Sequence, residues 1–402
     1  MRITKPEFIN FHYLIGVLFI FFALLPYVNF GLNSRDSQPW AFLFATIFIL
    51  YNYRYKLDMT NFAYFLIPII ASFVWFFFSS VVLDFISIRA MINYATFSFC
   101  LIGFIYFLNE YGFPWKLFMV VNFLYIVVAI LQFYYPDIVS SIVTQRGTRE
   151  SGRGVQSLAA EPTAFGLVLF FFTFIYLAAS NFKPSRVISY FIGLNIFSII
   201  FLAGSSTVIL YLLVAAFISF FWLNFRLKLI LLISIFIIAF IAYQYLEGSR
   251  ILFIVNNLIE RGLSQYIFFD ESVNDRLAHV IFSIQGSFMN NLLPGGFNSF
   301  IETQLFLMKE YEGFFYYPNF TYSILSFFGT FVYELGFLGY MIFIYLFFHS
   351  QDGTLVRFTT VGYLFVVLNS GIPVSFPFVA ILFGILIQFN YSKSHNSISL
   401  SG

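Results

Sequence analysis

Long apolar stretches separated by short polar ones run through most of the chain. A helix that crosses a bilayer needs roughly 20 mostly apolar residues, about 17–25. On that ruler about twelve stretches qualify, near residues 12–32, 38–53, 62–83, 90–109, 117–135, 161–180, 187–203, 206–223, 229–246, 323–348, 355–371 and 373–391. The second is short enough to be re-entrant. The seventh and eighth are joined through Gly204-Ser205-Ser206. The pattern predicts an all-α polytopic membrane protein, one integral membrane domain over residues 1–402, without internal repeats.

Two connections are too long to be turns, 136–160 and 247–322. The second reads as short amphipathic helices. Ile251, Ile254, Val255, Leu258 and Ile259 follow helical spacing. Ser272 has the look of an N-cap, with Asp275 three residues on, opening a helix to about residue 290. Its expected apolar side is Val273, Leu277, Val280, Ile281, Ile284 and Phe288, and its expected solvent stripe is Arg276, His279 and Ser283.

Composition sharpens this picture. The chain is 60% hydrophobic and 9% charged, with mean hydropathy +0.88, more apolar than a soluble core requires. The first apolar run is too long for a signal-peptide core and is expected to be retained. The net charge of +2 gives no reason to expect nucleic acid. Cys100 is the single cysteine, which excludes disulfides and cysteine-metal sites. No carboxylate run offers a metal cage, no cofactor is expected, and P-loop, HExxH and GxSxG motifs are absent. Aspartate and glutamate are nearly missing from mid-membrane positions, against a proton-coupled transporter.

The cations divide by type. With the N-terminus in the cytoplasm, every lysine except Lys309 falls inside, whereas Arg35, Arg89, Arg146, Arg149, Arg153, Arg250, Arg261 and Arg276 fall outside. Topology is served by either residue. An external excess of arginine without lysine is better explained by recognition of an anion through the planar guanidinium fork.

Arg146, Arg149 and Arg153 cluster just before Glu161-Pro162, where the sixth stretch begins. They are candidates for pyrophosphate binding; a loop gripping lipid headgroups has the same composition. Proline and a carboxylate at a helix start are also ordinary end chemistry, and Glu161 is otherwise a candidate general base. His279 is the only histidine expected outside and is the second candidate base. The residues do not choose between them. Glu334, inside a predicted span, requires a partner or a polar cavity, and Gly336 and Gly339 suit close helix contact.

Five segments carry a resemblance: GRGVQSLAAEPTAFG, LAGSSTVIL, DESVNDRLAHV, LLPGGFNSF and YELGFLGY, in that order from about residue 145 to 345. Together they resemble the Wzy-type O-antigen and capsular polysaccharide polymerases, in the superfamily that includes the O-antigen ligases. The first four apolar stretches resemble that family in hydropathy alone. The resemblance implies a GT-C-like, metal-independent membrane glycosyltransferase of the bacterial inner membrane. It would take oligosaccharides on undecaprenyl pyrophosphate at the outer face, with a flippase and a chain-length regulator as partners. By motif position it implies roles for Arg153 and Arg276, then for Arg146, Arg149 and Arg250. Ligases of the superfamily typically carry a histidine about nine residues before the ELG-like motif; TYSILSFFGTFVYELG has none, which favours a polymerase. The arginine-to-glycine spacing of some polymerases is not met, since Arg276 and Gly286 are one residue too close. A ligase with a lipid A-core acceptor and a lipid-linked oligosaccharide flippase are the alternatives.

Overall fold

The structure is a computed structural model, and it describes residues 11–30, 38–51, 59–79, 84–135, 143, 154–220, 256, 259–260, 262, 271–315, 324–350, 354–369 and 371–399. The described residues form an all-helical protein of fourteen α-helices. In chain order these are α1 Phe11–Leu24, α2 Trp40–Tyr51, α3 Met59–Phe78, α4 Phe85–Tyr111, α5 Trp115–Tyr134, α6 Pro162–Ala179, α7 Arg186–Ser198 and α8 Ser206–Phe220. Then follow α9 Glu271–Met289, α10 Phe300–Glu310, α11 Phe327–Glu334, α12 Phe337–His349, α13 Leu355–Val367 and α14 Pro377–Ser399. A π-helical turn, Ile199–Ala203, extends α7.

Among the described residues four helices are long and apolar enough to cross a membrane: α4, α5, α6 and α7 with its π turn. Seven further apolar segments of 10–17 residues lie in α1, α2, α3, α8, α12, α13 and α14. That differs from the dozen full-length stretches expected. The hydropathy runs include apolar ends that leave the helix and turn, as Leu25 to Val28 do after α1. The expected stretch 229–246 and the helix at 251–259 fall outside, or almost wholly outside, the described residues.

The central helix is α4, packed by α3, α2 and α14, with α6 against α14 and α7. Its buried surface is mostly phenylalanine and small residues. Phe97, Phe104 and Phe107 fill the gaps, while Ala45 and Gly103 let backbones approach. The helices alternate in direction. Tyr111 at the end of α4 meets His12 at the start of α1, and Gln388 of α14 meets Asn109. His349 at the end of α12 meets Tyr64 near the start of α3. At the opposite face the Tyr125 hydroxyl of α5 donates to the Leu24 carbonyl, at 3.1 Å.

Two corrections concern the expected stretch 323–348 and the helix before it. The stretch is not one helix. Leu335-Gly336 breaks it, and α11 and α12 form a tight antiparallel pair. Gly336 has φ +60° with ψ −137°, a backbone that side chains disfavour, and a Cβ there would overlap the Leu292–Pro294 backbone. Gly339 lies directly on the Phe331 carbonyl. Glu334 is therefore the last residue of a short helix rather than a mid-span carboxylate.

The helix α9 begins by Glu271, so Ser272 is already helical. It also turns the other way from the expected amphipathic reading. Its buried positions come in pairs four residues apart: Asn274-Asp275, Ala278-His279, Phe282-Ser283 and Gly286-Ser287. His279 and Ser283 are fully buried, whereas Val280, Ile281 and Ile284 are half-buried and Phe288 is 60% exposed. Small and polar side chains let α9 lie close along α11, where a Cβ on Gly329 would overlap the Ser283 hydroxyl.

The pairs across this contact are His279 with Leu325, Ser283 with Gly329 and Gly286 with Tyr333. The near-constant offset means that α9 and α11 run parallel. Phe327 packs on Phe97, twelve residues along α4 from Phe85, about 18 Å at the helical rise. At the other end of α11 the Gly296 amide donates to the Glu334 carbonyl, and Gly296 rests on Phe78, where α3 ends. Both helices thus start deep beside α4 and rise to its N-terminal end, the outer end in the orientation expected from the lysines.

Candidate functional site

At the deep end of α9 several helix starts meet. The segment after Arg153 dips into the helical body before α6 begins. The Ser157 hydroxyl donates to the Tyr125 carbonyl at 2.5 Å, and its amide donates to Gln132 Oε1 at 2.7 Å. Tyr125 lies nine residues before the end of α5, so the dip is about 13 Å. Gly154 sits on the π turn, where a Cβ would overlap the Leu202 and Ala203 carbonyls, and the Val155 amide donates to the Leu202 carbonyl at 2.8 Å. Only glycine allows that approach. The contact brings the start of α8 beside the start of α6: the Ser205 hydroxyl donates to Thr163 Oγ1 at 3.4 Å, and Gly166 lies against Val208.

Arg276 enters from α9. Its Nη1 donates to the Thr207 hydroxyl, in the first turn of α8. Its Nε lies beside Gly371, six residues before α14; a Cβ there would be 3.7 Å away. The circle closes through α11, whose Phe328 amide donates to the Leu368 carbonyl at 3.0 Å. Half-buried Arg276 thus stands among the N-terminal ends of α6, α8 and α11. Those ends carry the positive pole of the helix dipole, and their first turns hold no acidic residue. Glu161 is the exception at the rim. It is the N-cap of α6 and half-exposed, and its side chain makes no capping bond. Arginine, hydroxyls and helix N-termini in one place make a setting for an anion.

His279 is placed differently from the expectation. It is fully buried and 5.4 Å from Phe300 between ring centroids. Its Nδ1 accepts the Leu325 amide at 3.3 Å. The neutral ring therefore carries its proton on Nε2, which lies 3.7 Å from the Asp275 carboxylate. The bond to Leu325 joins α9 to the segment leading into α11. Arg146, Arg149, Arg153 and Arg250 lie outside the described residues. Among the described residues no group of three or more histidine, cysteine or acidic side chains is arranged to hold a metal.

A second polar cluster lies at the outer end of α9 and α11. The Tyr94 hydroxyl of α4 donates to Glu334 Oε2 at 2.7 Å, and also approaches the Thr330 carbonyl. Around it, LLPGGFNSF and YELGFLGY lock together through backbone bonds. The amide of Gly295 donates to Tyr333, that of Gly296 to Glu334 and that of Phe337 to Leu292. The Tyr333 hydroxyl meets Thr303 at 2.7 Å, and Asn298 donates to Asp84 at 3.0 Å. The Glu334 partner required by its burial is thus Tyr94, a pairing that no local pattern announces.

Sequence reading missed Thr163, Ser205, Thr207 and Gly371. The signal for the first three was present, as hydroxyls at the heads of two apolar runs. Gly371 carried none. No family model matches the chain, and no curated protein matches it.

Proposed function

We propose that this chain is a membrane polysaccharide polymerase that moves a growing glycan from undecaprenyl pyrophosphate to the terminal sugar hydroxyl of an incoming lipid-linked repeat unit. The observation that carries this reading is the meeting of three separated motifs at Arg276. Gly154 of GRGVQSLAAEPTAFG rests on LAGSSTVIL, and Arg276 of DESVNDRLAHV donates to Thr207 of the same segment. In this reading the protein is a GT-C-like, multi-pass protein of the bacterial inner membrane, with the circle of helix starts opening outward.

The leaving group is the pyrophosphate, and negative charge builds on it as the glycosidic bond breaks. Arg276 and the three helix ends, already oriented before reaction, stabilise that charge as it develops without reorganisation. Arg153, one residue before Gly154, is the second proposed arginine, and Arg146, Arg149 and Arg250 bind further along the donor. Glu161, at the rim with its carboxylate not spent on capping, is the proposed base for the acceptor hydroxyl. Direct displacement inverts the anomeric carbon. No metal or cofactor enters this scheme.

The test is polymer formation by the purified protein in lipid vesicles from undecaprenyl-pyrophosphate-linked oligosaccharide. Glu161→Gln is expected to abolish elongation, and His279→Gln to leave measurable polymer wherever the variant folds. An active Glu161→Gln would remove Glu161 from the mechanism. Transfer to lipid A-core with no elongation would make the chain a ligase, and movement of intact donor across the vesicle without chemistry would make it a flippase.

A further inference from the structure

The chain between Arg153 and Glu161, the two residues assigned to the chemistry besides Arg276, is short and held on both sides. Residues 156–159 make a β-turn, closed by the Ala159 amide donating to the Gln156 carbonyl at 3.1 Å. Ser157 occupies its second position with φ +53°. That left-handed backbone suits glycine, asparagine or aspartate and is unfavourable for serine. The serine is accounted for by what it touches. It is fully buried, and two of its polar groups are spent on α5: the hydroxyl on the Tyr125 carbonyl and the amide on Gln132 Oε1. Gln132 is itself buried, at 5% exposure.

The other side of the segment is held by the π turn of α7. The Val155 amide donates to the Leu202 carbonyl, and Gly154 leaves no room for a side chain against that turn. Leu158, Ala159 and Ala160 are buried, and the Glu161 carbonyl takes the Phe165 amide as α6 begins. The π turn ends at Ala203, four residues before Thr207, the partner of Arg276. A disfavoured backbone conformation persists where its surroundings over-determine it, and such places gather at functional sites. Here the surroundings are α5 on one side and the π turn on the other.

We propose that residues 154–160 are a positioning strap with Ser157 and Gln132 as its pins: they set the spacing between Arg153 and Glu161, and the distance of both from the Arg276 circle. Ser157 and Gln132 are positioning residues, acting through the two that flank the strap. The roles of Arg153 and Glu161 rest on the polymerase reading; the pinning of the strap rests on the packing alone.

Two measurements test it, and the first needs no activity. Cys100 is the only cysteine and is buried, so Cys100→Ala gives a clean background. Spin labels on cysteines at Arg153 and Lys183 then report the strap from across α6, whose 18 residues span about 27 Å. Their distance distribution is expected to be narrow, and to broaden in Gln132→Leu, which removes the acceptor. A broad distribution with Gln132 in place, or one that Gln132→Leu leaves unchanged, would overturn the proposal whether or not the protein makes polymer. The second measurement is elongation in vesicles from undecaprenyl-pyrophosphate-linked oligosaccharide, per folded molecule. Gln132→Leu and Ser157→Gly are expected to lower kcat roughly 10- to 100-fold with the donor KM little changed, the cost of misplacing reacting groups by about 1 Å. Gln132→Glu keeps an oxygen for the Ser157 amide and is expected to recover most of the loss. Ser157→Gly relieves the backbone, so it carries the test where Gln132→Leu does not fold. Normal kcat in both variants beside an active wild type would overturn the positioning role. An inactive wild type would remove the polymerase reading instead, and the distance measurement would decide the strap.

Discussion

The two ends of α9 are held by different chemistry. At the deep end, side chains do the holding. Arg276 reaches Thr207, and His279 takes the Leu325 amide with Asp275 behind it. At the outer end the backbone does it, through the amides of Gly295, Gly296 and Phe337, with glycines pressed onto carbonyls. Backbone bonds closed over glycine leave almost no room for adjustment. A guanidinium carries five donors on a flexible stem, and Thr207 takes only one of them. The outer end is the more rigid of the two, and the deep end the more adaptable.

Substitutions at the two ends should therefore fail in different ways. The largest effect is expected from Gly336→Ala, which combines an unfavourable backbone with overlap on the Leu292–Pro294 backbone. Together these cost about 2–6 kcal/mol, and little folded protein should be recovered in detergent. A Gly336→Ala protein with an unchanged unfolding midpoint would contradict the rigidity of the outer end. Next comes Arg276→Lys, which keeps the charge but loses the fork. Transfer should fall roughly 30- to 1000-fold, about 2–4 kcal/mol of transition-state stabilisation, at normal protein level. Full-length polymer from that variant would show that the deep end needs only a positive charge.

A smaller loss is expected from Tyr94→Phe. It strips the donor from a buried carboxyl and should lower stability by about 1–3 kcal/mol, while turnover of the remaining folded protein stays near normal. Glu334→Gln, which can still accept from Tyr94, should be milder; equal losses would mean that the Tyr94 bond is not what stabilises this corner. The smallest effect is expected from Thr207→Val. Losing one hydrogen bond to a charged group corresponds to about 1.5–3 kcal/mol at most, expressed in transfer rather than in unfolding, and Thr207→Ser should restore it. A drop in thermal stability with unchanged transfer would assign Thr207 to the scaffold instead.

Much of the fold was legible in hydropathy because a helix in hydrocarbon needs a nearly unbroken apolar run. The starts of α5, α6, α7 and α8 fall within two residues of those read from sequence. The break at Leu335-Gly336 was not legible, since both halves are apolar and the cause is a clash with a loop forty residues earlier. The most buried face of α9 was misread for a related reason. Leu277 and Ile281 do pack against a buried apolar cluster, but the closest approach is to α11, through His279, Ser283 and Gly286, and those partners lie in a distant segment that no local pattern announces. For the site, Arg276 was legible because an arginine without lysines nearby is uncommon in such a chain. Thr207 was not, because its importance lies in reaching an arginine 69 residues away.

The parallel course of α9 and α11 also constrains how the protein is made. Two parallel helices that rise through the same layer require the chain to return between them. The eight residues of α11 are too few to insert as a span by themselves, and the buried flank of α9 is too polar to enter lipid before its partner is in place. The pair is therefore expected to settle beside α4 only once both helices have been made, as a late step of assembly. During synthesis, ribosome-stalled chains ending before α12 should leave a cysteine at Ser283 open to water-soluble thiol reagents, and completion of the chain should close it.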